Sequence, residues 1–444
     1  LKRTVEAGTP DGERRERTLF GHPRGLTILF LTQMWAEFSY FGLQALLVYY
    51  MTQHLGFSQA KSSLIYGIYG AAAFFSPFLG GIAADRWLGR RRSVVIGGVL
   101  MMIGHFAMAF EPLLFVALAL VAIGNGLFIP PLAVQVSALY QEHDPRRTQA
   151  FSAYYMGINL GGLLAPLICG TLGEKVGWHW GFAAAGVGMA IGLAIYLGNR
   201  ALLPPDIPLT RDDPANAAKA LTQTEWRQLR LLFTVIAIVV LFRIGYEQSG
   251  NVIALWVQHQ TDRSIGGFEV PATWFQSINP LLIILGTPPL IRFWRRRAER
   301  HGEPDLLRRM ALGCLIAALA MALMVGAAAL FESTGHPVGM IWVVGYFALL
   351  TLGELMVIPV GLSLIGALSP AQIAAMVMGA WYIAKFLGSL FAGVVGAYWG
   401  EVPATLFFGV GALTPAAAAL LLLLTSRGIR RTADAGYRTH EAES

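Results

Sequence analysis

Five ionisable side chains stand inside long apolar runs: Glu37, Arg243, Glu247, Glu354 and Lys385. A lone charge at membrane depth costs about 3 kcal/mol even on the mildest scales, so such residues face a cavity or a partner. Arg243 and Glu247 lie within a run from Leu231 to Val257, four residues apart and therefore on one helical face. The five read as the lining of one shared polar cavity. Carboxylates and cations enclosed in this way bind complementary charges and exchange protons. No nucleophile–base pair, metal cluster or phosphate loop stands out, so an enzyme is not expected.

Other polar residues follow helical spacing around these charges. Gln33, Glu37, Tyr40 and Gln44 form one stripe, with offsets that fit a cavity wall. Tyr66 and Tyr69 are one turn apart and suit either a peptide-like ligand or helix packing. Gly157 and Gly161 form a small-residue pair that permits close helix approach, with Asn159 beside it either binding ligand or bridging helices. Gln276, Asn279 and Pro280 share another run, and Pro280 frees a backbone carbonyl. Glu354 precedes a flex point at Pro359 and Gly361, and Trp381 shares a face with Lys385. His105, Cys169 and Cys314 read as packing residues, with no support for a disulfide or metal site.

The elements that position these residues are membrane helices. The 444-residue chain is 55% hydrophobic and 13% charged, where a soluble protein carries about 25% charged residues. The apolar runs are about 20 residues or longer, which fits helical spans rather than barrel strands. An all-α polytopic membrane protein with twelve transmembrane helices is expected. Its divisions are a tail over 1–24, a six-helix bundle over 25–198, a linker over 199–230, a second six-helix bundle over 231–426 and a tail over 427–444. The first twenty residues mix charges without an apolar core, and no secretory signal is expected there.

The net charge of +7 could suggest nucleic acid, but the arginines cluster in alternate loops. They follow the second, fourth, eighth and twelfth spans, which is the positive-inside pattern. Both termini and the linker are therefore expected in the cytoplasm, and no nucleic-acid partner is expected. Among these loops Asp85, Arg86, Gly89, Arg90 and Arg91 resemble the signature between helices two and three of the major facilitator superfamily. There the acid can pair with the arginines and the glycines allow a tight turn, a latch for one orientation of the bundles.

More broadly the chain resembles the proton-dependent oligopeptide transporters of that superfamily. The matching pieces are Phe38–Gly42, Asp144–Arg147, Met156–Gly161, Glu247-Gln248, Phe275–Pro280, Gly353–Leu355 with Pro359–Ser363, and Gly379–Trp381. The resemblance implies two bundles rocking about a central site, and import of di- and tripeptides by symport with protons. It implies protons as the coupling ion with no cofactor, small peptides and the lipid bilayer as partners, a monomer, and the inner membrane of a bacterium. It also implies that Glu354 holds the peptide amine with Asn159 and Asn279 nearby, that Glu247 takes part in proton coupling, and that Trp381 is a pocket aromatic.

The departures from the family pattern are as informative. The family's first helix reads Glu-x-x-Glu-Arg-Phe, whereas here Glu37 takes the arginine position. A second family arginine is Gln44, and the Lys-Pro-Asn of helix four is Ile129-Pro130-Pro131. The cations that usually meet the peptide carboxylate in the first half are thus absent, leaving Arg243 or Lys385 to supply that charge. Another amine-bearing solute, such as a modified peptide or drug-like compound, is the alternative substrate, and a transporter-like sensor without turnover a third reading. One account of the departures is a charge swap, in which Glu37 pairs with Arg243 across the gap and Glu247 titrates. The other is that Arg243 and Glu247 pair along their own helix. Removal from water and proximity to an arginine act in opposite senses on a carboxylate's proton affinity, which suits a site that loads in one conformation and releases in the other.

Overall fold

A computed structural model describes residues 18–19, 21–141, 144, 146–204, 222–302, 305–369 and 374–443. Most of the expected first tail, the middle of the linker from 205 to 221, and Pro145 of the Asp144–Arg147 motif lie outside the described residues.

In the first half the helices are α1 (Arg24–Tyr49), α2 (Gln59–Ala83), α3 (Arg90–Ala107), α4 (Leu114–Ser137), α5 (Arg146–Ala165) and α6 (Trp178–Gly198). In the second they are α7 (Gln223–Tyr246), α8 (Val252–Gln260), α9 (Ile278–His301), α10 (Leu306–Thr334), α11 (Ile341–Leu368), α12 (Ala374–Gly396) and α13 (Ala404–Glu443). α7 and α8 are one span broken by a tight turn over Glu247–Gly250, so these helices make the twelve expected spans. Eight stretches, among them Gln59–Leu88 and Glu225–Gln260, are long and apolar enough to cross a membrane, and Ala380–Gly396 is a shorter apolar helix. The polar stripe of α1 and the arginines of α3 and α9 make those helices less apolar.

Two bundles follow from the packing. α1 lies against α5 and α6, and α4 against α2 and α3. In the second half α10 packs on α11 and α13, and α7 on α12 and α13. The expected close helix approach at Gly157 and Gly161 is made, and the partner is α1: a Cβ on Gly157 would lie 3.0 Å from the Phe30 carbonyl oxygen, and one on Gly161 would collide with that of Met34. The halves meet through α2 against α12 and α5 against α9.

Several boundaries differ from the sequence expectation. α7 begins at Gln223, because Thr222 and Glu225 form a reciprocal capping box there. α9 starts after a short 3-10 turn over Ala272–Ser277 and runs on to His301 through the arginine cluster. α13 likewise continues to Glu443. Hydropathy marks where apolar sequence stops, whereas a helix can continue into water on its own hydrogen bonds. Short ribbons also occur, such as Ser264–Ile265 with Phe268–Glu269, which turns through Gly266 and Gly267.

Candidate functional site

The first half contributes one buried carboxylate. Glu37 on α1 accepts a hydrogen bond from Gln33 Nε2 at 2.7 Å, and Gln33 Oε1 accepts from the Tyr154 hydroxyl of α5 at 2.7 Å. All three are buried. The glutamine amide thereby relays α5 to Glu37 and fixes which carboxylate oxygen stays available.

The second half contributes two carboxylates and two cations. Arg243 sits in the last turn of α7 and Glu247 in the turn that breaks the span, with Arg243 Nη1 3.5 Å from Glu247 Oε1. The Arg243 guanidinium also lies 5.2 Å from the Tyr246 ring centroid. α12 comes close enough at Gly388 that a Cβ there would strike the Arg243 side chain. Glu354 on α11 accepts from Asn279 Nδ2 at 2.8 Å and from the Tyr246 hydroxyl at 3.0 Å, and Asn279 also donates to Thr351 Oγ1 at 3.0 Å. Lys385 on α12 is within electrostatic reach of Glu37, Arg243, Glu247 and Glu354. Among the described residues it makes no ion pair, and its ammonium rests 3.6 Å from the centre of the Phe74 ring. The expected gathering of five ionisable groups is therefore observed. The Glu37–Arg243 pair is not: Glu37 is held by Gln33, and Arg243 reaches along its own helix to Glu247. Arg243 and Glu247 are joined covalently one turn apart, so that contact needs no particular spacing of the two bundles.

An aromatic wall from α1 and α2 faces this cluster. Tyr40 and Tyr69 stack with ring centroids 6.2 Å apart, and Tyr40 meets Phe74 edge-on. Both tyrosine hydroxyls are buried with no hydrogen-bond partner among the described residues, which leaves them for a ligand or water. Tyr66 accepts from Gln44 Nε2 at 2.9 Å and packs against Gly250. The Trp381 ring fills the space beside Gly361, where any side chain on the glycine would overlap it. Asn159 is buried but donates to the Tyr155 carbonyl of its own helix.

The two ends of this cavity differ. At the end away from Arg24 the halves are sealed. Glu174, just beyond α5, accepts from the backbone N–H groups of Ala272 and Thr273 at 3.0 and 2.8 Å. Trp274 Nε1 donates to Thr171, Ser277 to the Leu163 carbonyl, Tyr49 to the Ala254 carbonyl, and Ser63 to Asn251. α2 and α12 touch backbone to backbone, since a Cβ on Gly67 would lie 2.6 Å from Gly393 Cα. Toward the basic loops, Tyr155 and Tyr382 lie within electrostatic reach of Arg243 and are 42% and 46% exposed, and no comparable set of hydrogen bonds joins the halves there among the described residues.

At the basic end the loop after α2 turns through Gly89, whose φ of 77° is the left-handed region that glycine adopts freely. Asp85 and Arg86 are exposed, and Asp85 makes no ion pair among the described residues. Arg91 instead donates to the carbonyls of Leu203 and Pro204, and Arg90 lies half-buried beside it. The pairing of acid with arginine expected of this loop is not made in this conformation. Arg146 forks onto Asp144, and these hydrogen bonds hold the Asp144 carboxyl below the usual carboxylate range.

The profile of the Major Facilitator Superfamily matches residues 29–393. The peptide transporter YePEPT of Yersinia enterocolitica is 32% identical, over 89% of this chain and 90% of its own length. The chain belongs to the peptide-transporter (POT) family of the major facilitator superfamily. An uncharacterized transporter of Bacillus subtilis, YclF, is likewise 32% identical, over 94% of this chain and 96% of its own. The crystal structure of a peptide transporter POT in complex with sulfate superposes with a TM-score of 0.87 at 30% identity, covering 94% of this chain and 97% of that one. This POT-family member is thus a multi-pass membrane transporter and not an enzyme.

The residues not anticipated as site residues are Tyr154, Tyr246 and Thr351, together with Glu174 at the seal. Tyr246 carried a signal, being three residues from Arg243 and adjacent to Glu247. Glu174 carried one too, as an acid at the end of a span. Thr351 had none, because its role depends on α9 lying alongside α11.

Proposed function

We propose that this POT-family protein imports di- and tripeptides by proton-coupled symport and alternating access. The observation that carries the reading is the charge cluster itself: buried carboxylates from both halves and two cations from the second, with the halves sealed by hydrogen bonds at one end and not at the other among the described residues. Glu354, oriented by Asn279 and Tyr246, has the charge and direction to hold a peptide amine. Lys385 lacks an ion pair among the described residues, and a peptide carboxylate would supply one. Tyr40, Tyr69, Tyr66, Gln44, Asn159 and Trp381 line the space between for the backbone and side chains. Glu247, set between Arg243 and the cavity, is the first choice for the proton, with Glu37 second. A carboxylate that exchanges an arginine for a proton when the halves move couples the two fluxes.

The basic loops support an orientation with both termini in the cytoplasm of a bacterial inner membrane. On this reading the sealed end faces outward, the conformation is inward-open and the transporting unit is a monomer. The unpaired Asp85 fits that state, with the latch of Asp85, Arg86, Gly89, Arg90 and Arg91 closing when the inner side closes. A second reading is import of amine-bearing solutes without a free carboxylate, favoured by Glu37 and Gln44 where the family carries cations.

The test is dialanine counterflow and gradient-driven uptake in proteoliposomes for the parent and Glu247→Gln. Driven uptake lost with counterflow kept supports Glu247 as the coupling site. Loss of both assigns Glu247 to binding or structure. No dialanine transport by the parent favours the second reading.

A further inference from the structure

A second basic site, sharing no residue with the charge cluster, lies between the start of α3 and the end of α6. Arg91, Arg92 and Arg200 line a cavity of about 390 Å³ whose wall is Val95, Ile96 and Leu197. The first turn of α3 and the last turn of α6 place it where the bundle leaves the membrane on its basic side. Ile96 and Leu197 are 39% and 41% exposed, and they continue the cavity wall onto the apolar outer surface of the bundle.

The three arginines are not equivalent. Arg91 ties down the chain beyond α6 through the Leu203 and Pro204 carbonyls, which shapes the floor. Tyr196 is buried and spends its hydroxyl on Gln135. Among the described residues Arg92 and Arg200 make no ion pair and no carboxylate lines the cavity. A pair of guanidiniums presents forked donors that match phosphate geometry. An apolar wall running from those donors toward the membrane core suits an acyl chain.

We infer that this cavity binds an anionic phospholipid, its phosphate held by Arg92 and Arg200 and one acyl chain lying along Ile96 and Leu197. Basic recesses between helices at a membrane surface recognise anionic head groups through this combination of charge and apolar contact. Because α3 packs on both α4 and α6, a lipid seated here braces the outer face of the first bundle without entering the transport cavity. A free phosphate would share the guanidinium contacts but not the wall.

The experiment is native mass spectrometry of the full chain with phosphatidylglycerol and phosphatidylcholine added in equal amounts. The parent should retain phosphatidylglycerol preferentially. The double variant Arg92→Gln/Arg200→Gln should lower that preference at least about fivefold, since even one arginine near a membrane surface is worth about that much. Both arginines are exposed, and thermal unfolding in detergent should match the parent. Leu197→Gln should weaken retention while keeping the arginines. An unchanged preference in the double variant overturns the assignment. So does displacement of the lipid from the parent by millimolar inorganic phosphate, which would make the cavity a simple anion site.

Discussion

Glu174 is the most exposed test of how the sealed end is held. It is the acid that bridges from the first half to a helix start in the second, accepting both Ala272 and Thr273 N–H groups. Those amides begin a 3-10 turn and have no partner of their own within it. A hydrogen bond to a charged acceptor is worth about 1.5–3 kcal/mol. Glu174 is only partly buried, so the lower end applies, and two such bonds give about 2–4 kcal/mol after water takes over part of their role. Glu174→Ala should therefore shift the ratio of sealed to open states at least about thirtyfold toward open. Glu174→Gln keeps one acceptor and loses the charge, so its shift should be smaller. Trp274 with Thr171 and Ser277 with Leu163 remain, so the change is a redistribution rather than a collapse. Spin labels at Lys175→Cys and Ile265→Cys, both exposed at this end, report it as a distance distribution by pulsed electron resonance in proteoliposomes. A longer population should grow in the order parent, Gln, Ala. Identical distributions for parent and Glu174→Ala would refute the clamp and leave the seal to the remaining hydrogen bonds and the glycine contact of α2 and α12.

Three further outcomes follow from the same structure. Lys385→Met should weaken competition by dialanine about tenfold or more while leaving its carboxamide unaffected, because only the free carboxylate needs the ammonium. Gly67→Val should cost the sealed state about 1–3 kcal/mol through the collision with Gly393, read by the same label pair as a shift toward open. Thr222→Ala removes the capping box of α7, and about 1 kcal/mol should be lost, seen as a lower midpoint in thermal unfolding with transport retained.

Much of this protein could be read from its residues in order. Apolar run length and the spacing of arginine-rich loops led to the helical class and the twelve spans, because both are set by membrane thickness and charge near each run. Helical spacing placed Glu37 on one stripe with Gln33 and marked Gly157 and Gly161 as a close helix contact, whose partner α1 only the packing supplied. The cost of burying charge calls for Glu37, Arg243, Glu247, Glu354 and Lys385 to share one polar site, and Lys385 lies within electrostatic reach of the other four. The tertiary structure decided the partners. Glu354 found Asn279 and Tyr246 because α9, α11 and α7 converge there. Arg243 stayed with Glu247 rather than crossing to Glu37, Asp85 stayed unpaired, and Glu174 closed the far end. Periodicity and hydropathy are properties of one helix and its solvent, and they are the same in every state of a transporter. Which side chains meet across the gap depends on how two rigid bundles are tilted against one another, and that tilt is the quantity the transport cycle changes.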